Sequence, residues 1–203
     1  MFTGIVKAVS FIAALEKREA LLRYAVDFSP ELLYGLENGY SISVDGVCQT
    51  VVAIEDSRVW FEAIEETLSR TTLHSLKIGS KVNLERAAKM GDEMGGHLLS
   101  GHIYGTSRIA TIQNTSYTFE CHSGWMKYLF SKGFIAVDGI SLTLGAVDKE
   151  ASNFTVHLIP ETLKRTTLGH KTVGDRVNLE FDALTQAAVE TIENFLSQQS
   201  RAC

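Results

Sequence analysis

The chain repeats itself at an interval of 93 to 95 residues, with a weaker match at 97 between TGIV at 3–6 and SGHI at 100–103, and this repeat limits the folds it can adopt more than any other feature. Three motifs occur twice in the same order: VDGVCQTV at 44–51 and VDGISLTL at 137–144, ETLSRTTL at 66–73 and ETLKRTTL at 161–168, GSKVNLE at 79–85 and GDRVNLE at 174–180. A preserved order with small insertions indicates the tandem duplication of one domain. We therefore predict a first domain at residues 1–92, a second at 93–182, and a C-terminal helix and tail at 183–203.

Length and composition agree with two small domains. The 203 residues allow about 90 to 100 residues for each core. The net charge of −5 and the lack of a Lys/Arg-rich run argue against nucleic acid or an anionic membrane as a partner. No apolar segment reaches the roughly 20 residues that cross a bilayer, and no signal peptide is predicted. Three cysteines without CxxC spacing, Cys48, Cys121 and Cys203, predict free thiols and a cytoplasmic location.

Each half has the sequence pattern of an all-β domain, because short runs of Val, Ile, Thr and aromatic residues alternate with turn residues about every ten positions. Strands are predicted near 4–15, 21–27, 40–45, 47–55, 58–64 and 80–86 in the first half, and near 101–112, 117–121, 134–138, 140–148, 153–159 and 175–181 in the second. Six strands in a domain of this size favour a small closed barrel, since closure removes exposed sheet edges.

Between two predicted strands, each half carries an Asp-Gly pair, which favours a tight turn because Gly accepts positive φ. Two positions after the Gly, the first half presents Cys48 and the second presents Ser141. A repeated scaffold with one changed polar residue predicts two similar pockets with unequal chemistry.

Short helices are predicted at SPELLYGL, where Ser29 can cap and Pro30 takes the first position, at 122–130, and in the two ETL segments. The tail also has helical spacing, with Leu184, Ala188, Ile192 and Phe195 on one side. This apolar side either lies back on the chain's own barrels or joins other subunits, and the sequence leaves both alternatives open.

Seven segments in order, spanning essentially the whole chain, resemble the riboflavin synthase family: MFTGIV, VDGVCQTV, ETLSRTTL, VNLERAAKMGDEMGGHLLSGHI, KGFIAVDGISLT, HLIPETLKRTTLG and VNLEFDALTQA. The resemblance implies tandem duplicated six-stranded Greek-key barrels with short helices and a C-terminal oligomerisation helix. It also implies a homotrimer, with each active site between the N-terminal barrel of one subunit and the C-terminal barrel of a neighbour.

The implied reaction is the last step of riboflavin biosynthesis, without metal or redox cofactor. One molecule of 6,7-dimethyl-8-ribityllumazine transfers a four-carbon unit to a second, which gives 5-amino-6-(D-ribitylamino)uracil from the donor and riboflavin from the acceptor. Lumazine synthase is a candidate partner. Because the reaction joins two copies of one molecule, much of its acceleration should come from orientation, and a duplicated pocket suits that requirement.

By the same resemblance we assign catalytic roles to Cys48, His102, Ser41 and Asp182. The residues that match the family's ligand set are Gly4, Ile5, Val6, Cys48, Gln49, Thr50, Glu62, Ala63, Ile64, Glu65, Glu66, Thr67, Gly101, His102, Ile103, Lys132, Ser141, Leu142, Thr143, Ile159, Pro160, Glu161, Thr162, Leu163 and Lys164. Gln49 departs from the family pattern, which has an apolar residue there, and makes the first pocket more polar if its side chain points inward.

Several of these residues also have ordinary structural interpretations. A free Cys is most often buried, and the carboxylates of the ETL segments can cap short helices rather than bind ribityl hydroxyls. Gly4 and Gly101 allow close backbone approach to a flat ring, or mark a strand bulge. His97 and His102 lack the i, i+4 spacing of a metal-binding helix and a third acidic ligand, so we predict no metal site and assign His97 to ordering the linker.

Two rival functions use related folds. The first is a non-catalytic lumazine- or flavin-binding antenna protein, which would not require Cys48, His102 and both ETL motifs. The second is the flavin-binding barrel of an oxidoreductase. That class needs an arginine-aromatic-serine/threonine signature and a following nucleotide domain with a Gly-rich loop, and neither occurs in this sequence.

Overall fold

The computed structural model of the chain describes residues 1–201, so Cys203, one of the three predicted thiols, lies outside the described residues. The fold is two closed six-stranded antiparallel barrels followed by a helix, which confirms the predicted all-β duplication. Within the described residues, no helix is both long and apolar enough to span a membrane.

The N-terminal barrel closes in the order β1-β2-β5-β4-β3-β6. Its strands are β1 Ala8–Arg18, β2 Leu21–Asp27, β3 Ser41–Val44, β4 Val47–Glu55, β5 Arg58–Ile64 and β6 Lys81–Arg86. Inward-facing apolar side chains such as Ile42, Val51 and Phe61 fill the barrel and are fully buried. A closed barrel leaves no strand edge exposed to other chains.

The C-terminal barrel repeats this order as β7-β8-β11-β10-β9-β12. Its strands are β7 Gly105–Gln113, β8 Ser116–Glu120, β9 Phe134–Val137, β10 Ile140–Asp148, β11 Asn153–His157 and β12 Arg176–Phe181. Equivalent strands take equivalent places, which is the Greek-key connection expected from the repeated motifs.

The helices are short except for the last. They are α1 Pro30–Leu33, α2 Glu65–Arg70, α3 Pro160–Arg165 and α4 Ala183–Arg201, with 3₁₀ helices at Thr72–Ser75, Ser123–Tyr128 and Thr167–His170. Helix α4 contacts its own barrel on one side, where Tyr128 donates to Glu190 Oε1 at 3.0 Å. The predicted apolar side remains uncovered, since Ile192 and Phe195 are each 59% exposed.

Both barrels begin later than predicted, at Ala8 rather than residue 4 and at Gly105 rather than residue 101. The residues before them, 2–5 and 99–102, leave their own barrels and cross to the other one, and we call them the crossover segments. Phe2 and Leu99 pair with each other in an antiparallel bridge. Gly101 then accepts a hydrogen bond from the Cys48 amide at 2.8 Å, and Gly4 accepts one from the Ser141 amide at 2.8 Å.

The two Asp-Gly turns meet at the centre of the molecule, which we call the seam. All four central residues have positive φ, between 45° and 82°, as a type I′ turn requires. Contact between the turns is so close that a Cβ on Gly46 would lie 2.6 Å from the Gly139 amide nitrogen. Only glycine therefore fits at this point of the seam.

Hydrogen bonds cross the seam in both directions. Asn83 of the N-terminal barrel donates to the Asp138 carbonyl at 2.9 Å, and Asn178 of the C-terminal barrel donates to the Asp45 carbonyl at 2.8 Å. Each Asp side chain in turn accepts the backbone N–H of the Asn in its own barrel, at 2.7 Å. This reciprocal network holds the two barrels in one orientation.

The carboxyl groups at the seam are buried and share one cation. Asp138 is fully buried and lies 3.2 Å from Lys171 Nζ. Burial, together with the neighbouring Asp138 charge, raises the pKa of Asp45 to about 8. Burial lowers the pKa of Lys171, but the neighbouring Asp138 and Asp45 carboxyl groups raise it by more, so the pKa of this amine is raised overall. Burial also raises the pKa of Asp138, against the opposing effects of Lys171 and of the Asn178 amide. The cluster therefore keeps Asp45 protonated at neutral pH, beside the contact of Lys171 with Asp138.

The raised pKa of Asp45 predicts a pH-dependent stability. The unfolded chain releases this proton near pH 4, whereas the folded chain keeps it to about pH 8. Between these values the folded state binds more protons, so the free energy of unfolding falls as pH rises, by up to about 1.4 kcal/mol per pH unit from this group. Asp45→Asn should remove this part of the slope in urea unfolding between pH 5 and 9. The matched control is Asp56→Asn at an exposed turn, and identical slopes for all three proteins would contradict the assignment.

The close approach of Gly101 to Cys48 predicts a second stability effect. Gly101 has φ of +80°, and an added Cβ would lie 2.6 Å from the Cβ of Cys48. Gly79 has φ of +84° but open space around it, so it serves as the matched control. Both Ala variants carry the backbone strain of a positive φ. The free energy of unfolding should fall by about 1 kcal/mol or more in Gly101→Ala beyond its fall in Gly79→Ala, because only Gly101→Ala adds a steric clash. Equal losses in chemical denaturation would show that the crossover contact is not tight.

Candidate functional site

A cavity of about 210 Å³ lies between the start of β4, helix α2 and the second crossover segment. Six residues predicted for the site line it together: Cys48, Glu66, Thr67, Gly101, His102 and Ile103. Its other lining residues, Val47, Arg70 and Thr71, were not predicted. Residues that are far apart in the sequence therefore form one pocket, and the C-terminal half contributes His102 to a pocket of the N-terminal barrel.

Cys48 lies on the outer face of β4. Burial alternates along the strand, with Val47, Gln49 and Val51 buried inward and with Cys48 and Thr50 on the opposite face. The thiol therefore does not enter the interior of the barrel. The pocket is a shallow site on the outside of the barrel, closed on one side by the crossover segment.

The side chain of Gln49 points into the barrel core. It is 5% exposed, its Oε1 accepts from the Tyr24 hydroxyl at 3.2 Å, and its Nε2 donates to the Cys48 carbonyl at 2.9 Å. The carboxamide of Gln49, which stands where the family pattern has an apolar residue, thus finds a hydrogen-bond partner inside the barrel in Tyr24. Its carboxamide adds no polarity to the 210 Å³ cavity.

Helix α2 brings a charged pair to the cavity. Glu66 Oε1 lies 3.0 Å from Arg70 Nε, at i, i+4 spacing, and both side chains are largely exposed. Thr71 donates to the Thr67 carbonyl at 2.7 Å and ends the helix. Charged pairs at i, i+4 commonly stabilise exposed helices. The sequence alone therefore gives no signal that Arg70 lines a cavity.

His102 is positioned by a buried carboxyl group behind it. The His102 amide donates to Ser100 Oγ at 3.1 Å, and Ser100 Oγ donates to Glu180 Oε1 at 2.7 Å. The Gly101 amide also donates to Glu180, at 3.0 Å. Burial raises the pKa of Glu180, although these hydrogen bonds oppose the shift. The imidazole itself is exposed beside Cys48 and free to meet a ligand.

Ser141, the counterpart of Cys48 in the C-terminal barrel, has different neighbours. His97 Nδ1 lies 2.6 Å from Ser141 Oγ, and the imidazole stacks on Phe134 with ring centroids 5.1 Å apart. His97 is 8% exposed, and its Nε2 has no hydrogen-bond partner among residues 1–201. Burial lowers the pKa of His97, opposed by the charge of Asp182. The ring is therefore neutral near pH 7.

The linker role predicted for His97 is thus incomplete, because this residue also reaches a predicted ligand residue 44 positions away. No spacing rule connects the two positions, so only the fold reveals the pair.

Asp182, predicted to be catalytic, accepts from the amide and hydroxyl of Thr185 at 2.8 and 2.7 Å and caps α4. Its charge also acts on His97, so the capping and site interpretations are compatible.

The first crossover segment contacts Ser141, and α3 repeats the charged pair of α2. Gly4 bonds the Ser141 amide, and Val6 packs against the core of the C-terminal barrel. In α3, Glu161 pairs with Arg165 as Glu66 does with Arg70. Other predicted residues of this set are placed as follows: Ile5 and Ile159 are exposed, Leu142 is buried, Thr143 lies on the face of Ser141, and Lys132 has φ of +68° and donates to the Leu144 carbonyl.

Some predicted residues lie away from the Cys48 cavity. Ser41 pairs with Thr50 in the sheet and lines a separate depression of about 330 Å³ beside Arg86. Ala63 is buried in the barrel core, while Glu62, Ile64 and Glu65 are exposed around the end of β5. Between residues 1 and 201, no three His, Cys, Asp or Glu side chains come together as a potential metal site.

Comparison with known proteins places this geometry in a family. The lumazine binding domain matches twice, at residues 3–87 and 100–182. Both matches cover a barrel with its crossover segment. The duplicated motifs therefore correspond to two copies of one ligand-binding domain.

Full-length relatives are riboflavin synthases. The *Escherichia coli* (strain K12) enzyme is 46% identical, covering 100% of this chain and 96% of its own, and the *Chlamydia pneumoniae* enzyme is 44% identical, covering 99% and 100%. Among solved structures, LumP complexed with 6,7-dimethyl-8-(1'-D-ribityl) lumazine has a TM-score of 0.80 at 25% identity, covering 90% of this chain and 99% of its own. LumP complexed with riboflavin is equally similar, with a TM-score of 0.80 at 26% identity, covering 90% of this chain and 100% of its own. With two matched domains and relatives of this identity over its whole length, the chain belongs to the riboflavin synthase family.

Proposed function

We propose that this chain catalyses the dismutation of two molecules of 6,7-dimethyl-8-ribityllumazine, giving riboflavin and 5-amino-6-(D-ribitylamino)uracil. The observation that carries this proposal is the cavity that Cys48 and His102, from different halves of the chain, line together beside α2. A counterpart built on the same scaffold surrounds Ser141. Two related pockets suit a reaction that consumes two identical molecules in unequal roles.

Each pocket is proposed to hold one lumazine by the same contacts. The edge of each ring is proposed to lie beside a crossover segment, where Gly101 and Gly4 approach Cys48 and Ser141 so closely that an added Cβ would lie 2.6 and 2.5 Å from their Cβ atoms. The ETL segments supply a carboxylate and a hydroxyl for the ribityl chain, with Arg70 steering Glu66 in the first pocket. In this proposal the crossover segment fixes the ring and the short helix fixes the ribityl chain.

The unequal residues are proposed to divide the chemistry. One lumazine must lose a proton from its 7-methyl group, and the other must accept a nucleophile. Cys48 and His102 supply a thiol and an exposed imidazole for one pocket. In the other, the neutral His97 imidazole can take the proton of the Ser141 hydroxyl, which its Nδ1 already contacts at 2.6 Å.

Both pockets lie on outer faces of their barrels, so two ligands can meet face to face only if another surface covers them. We propose a homotrimer in which the N-terminal barrel of one subunit faces the C-terminal barrel of its neighbour. The uncovered apolar side of α4, including Ile192 and Phe195, supports an association of this kind. The proposal follows the second of the two alternatives for the tail.

The non-catalytic antenna protein is the weaker candidate. LumP binds lumazine, riboflavin and flavin mononucleotide on the same fold, but it is only 25 to 26% identical to this chain. The riboflavin synthases are 44 to 46% identical over nearly the full length. The pairing of Cys48 with His102 gives the cavity reactive groups that binding alone does not require.

We also propose that the enzyme acts in the cytoplasm, with lumazine synthase as a candidate partner. Cys48 and Cys121 are both free thiols, which supports a reducing compartment. A supplier of the lumazine substrate is the natural neighbour of an enzyme that consumes two copies of it per turnover.

The reaction is tested by incubating the protein with 6,7-dimethyl-8-ribityllumazine alone and following lumazine loss and riboflavin formation by absorbance. We expect catalytic riboflavin formation with the pyrimidine co-product in a one-to-one ratio. Cys48→Ser and His102→Gln should each lower kcat by about 10-fold or more, since a positioned acid-base or nucleophilic group contributes on the order of 10² or more. The control is Cys121→Ser, because burial raises the pKa of this thiol to about 11 and makes it a poor nucleophile. Tight lumazine binding without turnover would instead establish an antenna protein.

The assembly is tested on α4. Replacing Ile192 and Phe195 together by Glu should convert the trimer to monomers in light scattering and abolish turnover, because charges would then occupy an apolar interface. Circular dichroism should remain that of the folded barrels. Gln198→Glu, an exposed polar change on the same helix, is the control and should stay trimeric. A double Glu variant with unchanged mass would exclude this side of α4 as the interface.

A further inference from the structure

A second and larger cavity, of about 510 Å³, opens along the seam on the side of the 3₁₀ helices Thr72–Ser75 and Thr167–His170. Both barrels line it in similar measure, and none of its lining residues lines the cavity at Cys48. We call it the seam groove. It takes no part in the dismutation described above, so its chemistry needs a separate explanation.

Cations from both barrels face the seam groove. Lys81 and Arg176, which occupy equivalent first positions of β6 and β12, lie on its two sides, and His74 and His170 add two imidazoles. This concentration contrasts with the net charge of −5 for the whole chain. Across residues 1–201, neither Lys81 nor Arg176 forms a salt bridge with a carboxylate. Lys81 Nζ instead lies 3.1 Å from His170 Nε2, and Arg176 Nε lies 3.1 Å from Thr106 Oγ1.

The carboxyl groups at the seam groove neutralise these cations only in part. Asp175 keeps its negative charge, but its Oδ2 accepts from the amide of Thr172 at 2.7 Å and forms no salt bridge with Lys81 or Arg176 within residues 1–201. Asp138, behind the groove, is paired with Lys171 at 3.2 Å. Asp45 is buried with its pKa raised to about 8, mainly by burial, and is therefore protonated at neutral pH. With Lys171 paired to Asp138, the two cations Lys81 and Arg176 exceed the single charge of Asp175, and the groove has an excess of positive charge.

A buried hydroxyl at the seam groove also lacks a partner. Thr167 lines the groove and is 3% exposed, and its Oγ1 makes no hydrogen bond within the described part of the chain. Its counterpart Thr72 is satisfied, because Asn178 Nδ2 donates to Thr72 Oγ1 at 2.9 Å. A buried polar group without a partner is costly for folding, and a ligand that accepts from Thr167 would remove that cost.

We propose that the seam groove binds a small oxyanion of the phosphate class, with Lys81 and Arg176 as its charged partners and Thr167 as a hydroxyl donor. A tetrahedral oxyanion presents oxygens in several directions and can therefore reach cations on two opposite barrels at once. Arg176 offers a planar fork of N–H donors and Lys81 a compact point charge, the two side chains that proteins use for phosphate. Inorganic phosphate and the terminal phosphate of a monoester share this chemistry.

The test is isothermal titration of the full-length protein at pH 7 with inorganic phosphate, and separately with ribose 5-phosphate, at constant ionic strength set by sodium chloride. We expect saturable binding of at least one of them. The double variant Lys81→Gln, Arg176→Gln should weaken it by 10-fold or more, and each single variant by less. Lys149→Gln, at an exposed turn outside the groove, is the control and should bind as the unmodified protein does.

The two ligands distinguish the source of the oxyanion: equal affinity indicates free phosphate, and tighter binding of the sugar phosphate indicates a monoester. Thr167→Val keeps the shape of the side chain without its hydroxyl and should also weaken binding. Lumazine turnover measured in parallel should be unchanged in all variants, so failure of this proposal is distinguishable from failure of the proposed reaction. Absence of saturable binding, or binding that Lys81→Gln, Arg176→Gln does not weaken, would overturn it.

Discussion

The reciprocal hydrogen bonding across the seam is the interaction on which the rest of this structure depends. Asn83 and Asn178 each bond the Asp-Gly turn of the opposite barrel, and each Asp side chain bonds back to the Asn of its own barrel. The participating groups are buried, so loss of one partner would leave another unsatisfied. The seam therefore sets the orientation of the barrels and with it the positions of the two residues that follow the turns.

The crossover segments use that fixed orientation to build pockets from both halves. Because each segment leaves its own barrel and bonds the residue after the other barrel's turn, His102 comes to lie beside Cys48 and Gly4 beside Ser141. The N-terminal barrel alone would lack the side of the Cys48 cavity that Gly101, His102 and Ile103 form. The duplication therefore made this cavity of the first copy dependent on the second copy.

Small differences between the copies separate their chemistry. Cys48 and Ser141 occupy equivalent places on the outer faces of β4 and β10. His97 of the linker contacts Ser141, whereas the Cys48 pocket is lined by the exposed His102. At the seam, Lys171 pairs with Asp138, while the equivalent position in the first half is the apolar Leu76. The two barrels therefore share one backbone arrangement but differ in the charged and polar groups that it positions.

The sequence by itself determined the duplication, the twelve strands, the type of turn at each Asp-Gly pair and the family. These properties depend on local patterns, namely strand alternation, turn chemistry and motifs in order, which each segment carries without its neighbours. It also indicated six residues that meet in the Cys48 cavity. Only the tertiary structure decided that residues 2–5 and 99–102 cross between barrels, that Gln49 points inward, and that His97 reaches Ser141. These features arise from contacts between residues distant in the chain, which no local spacing encodes.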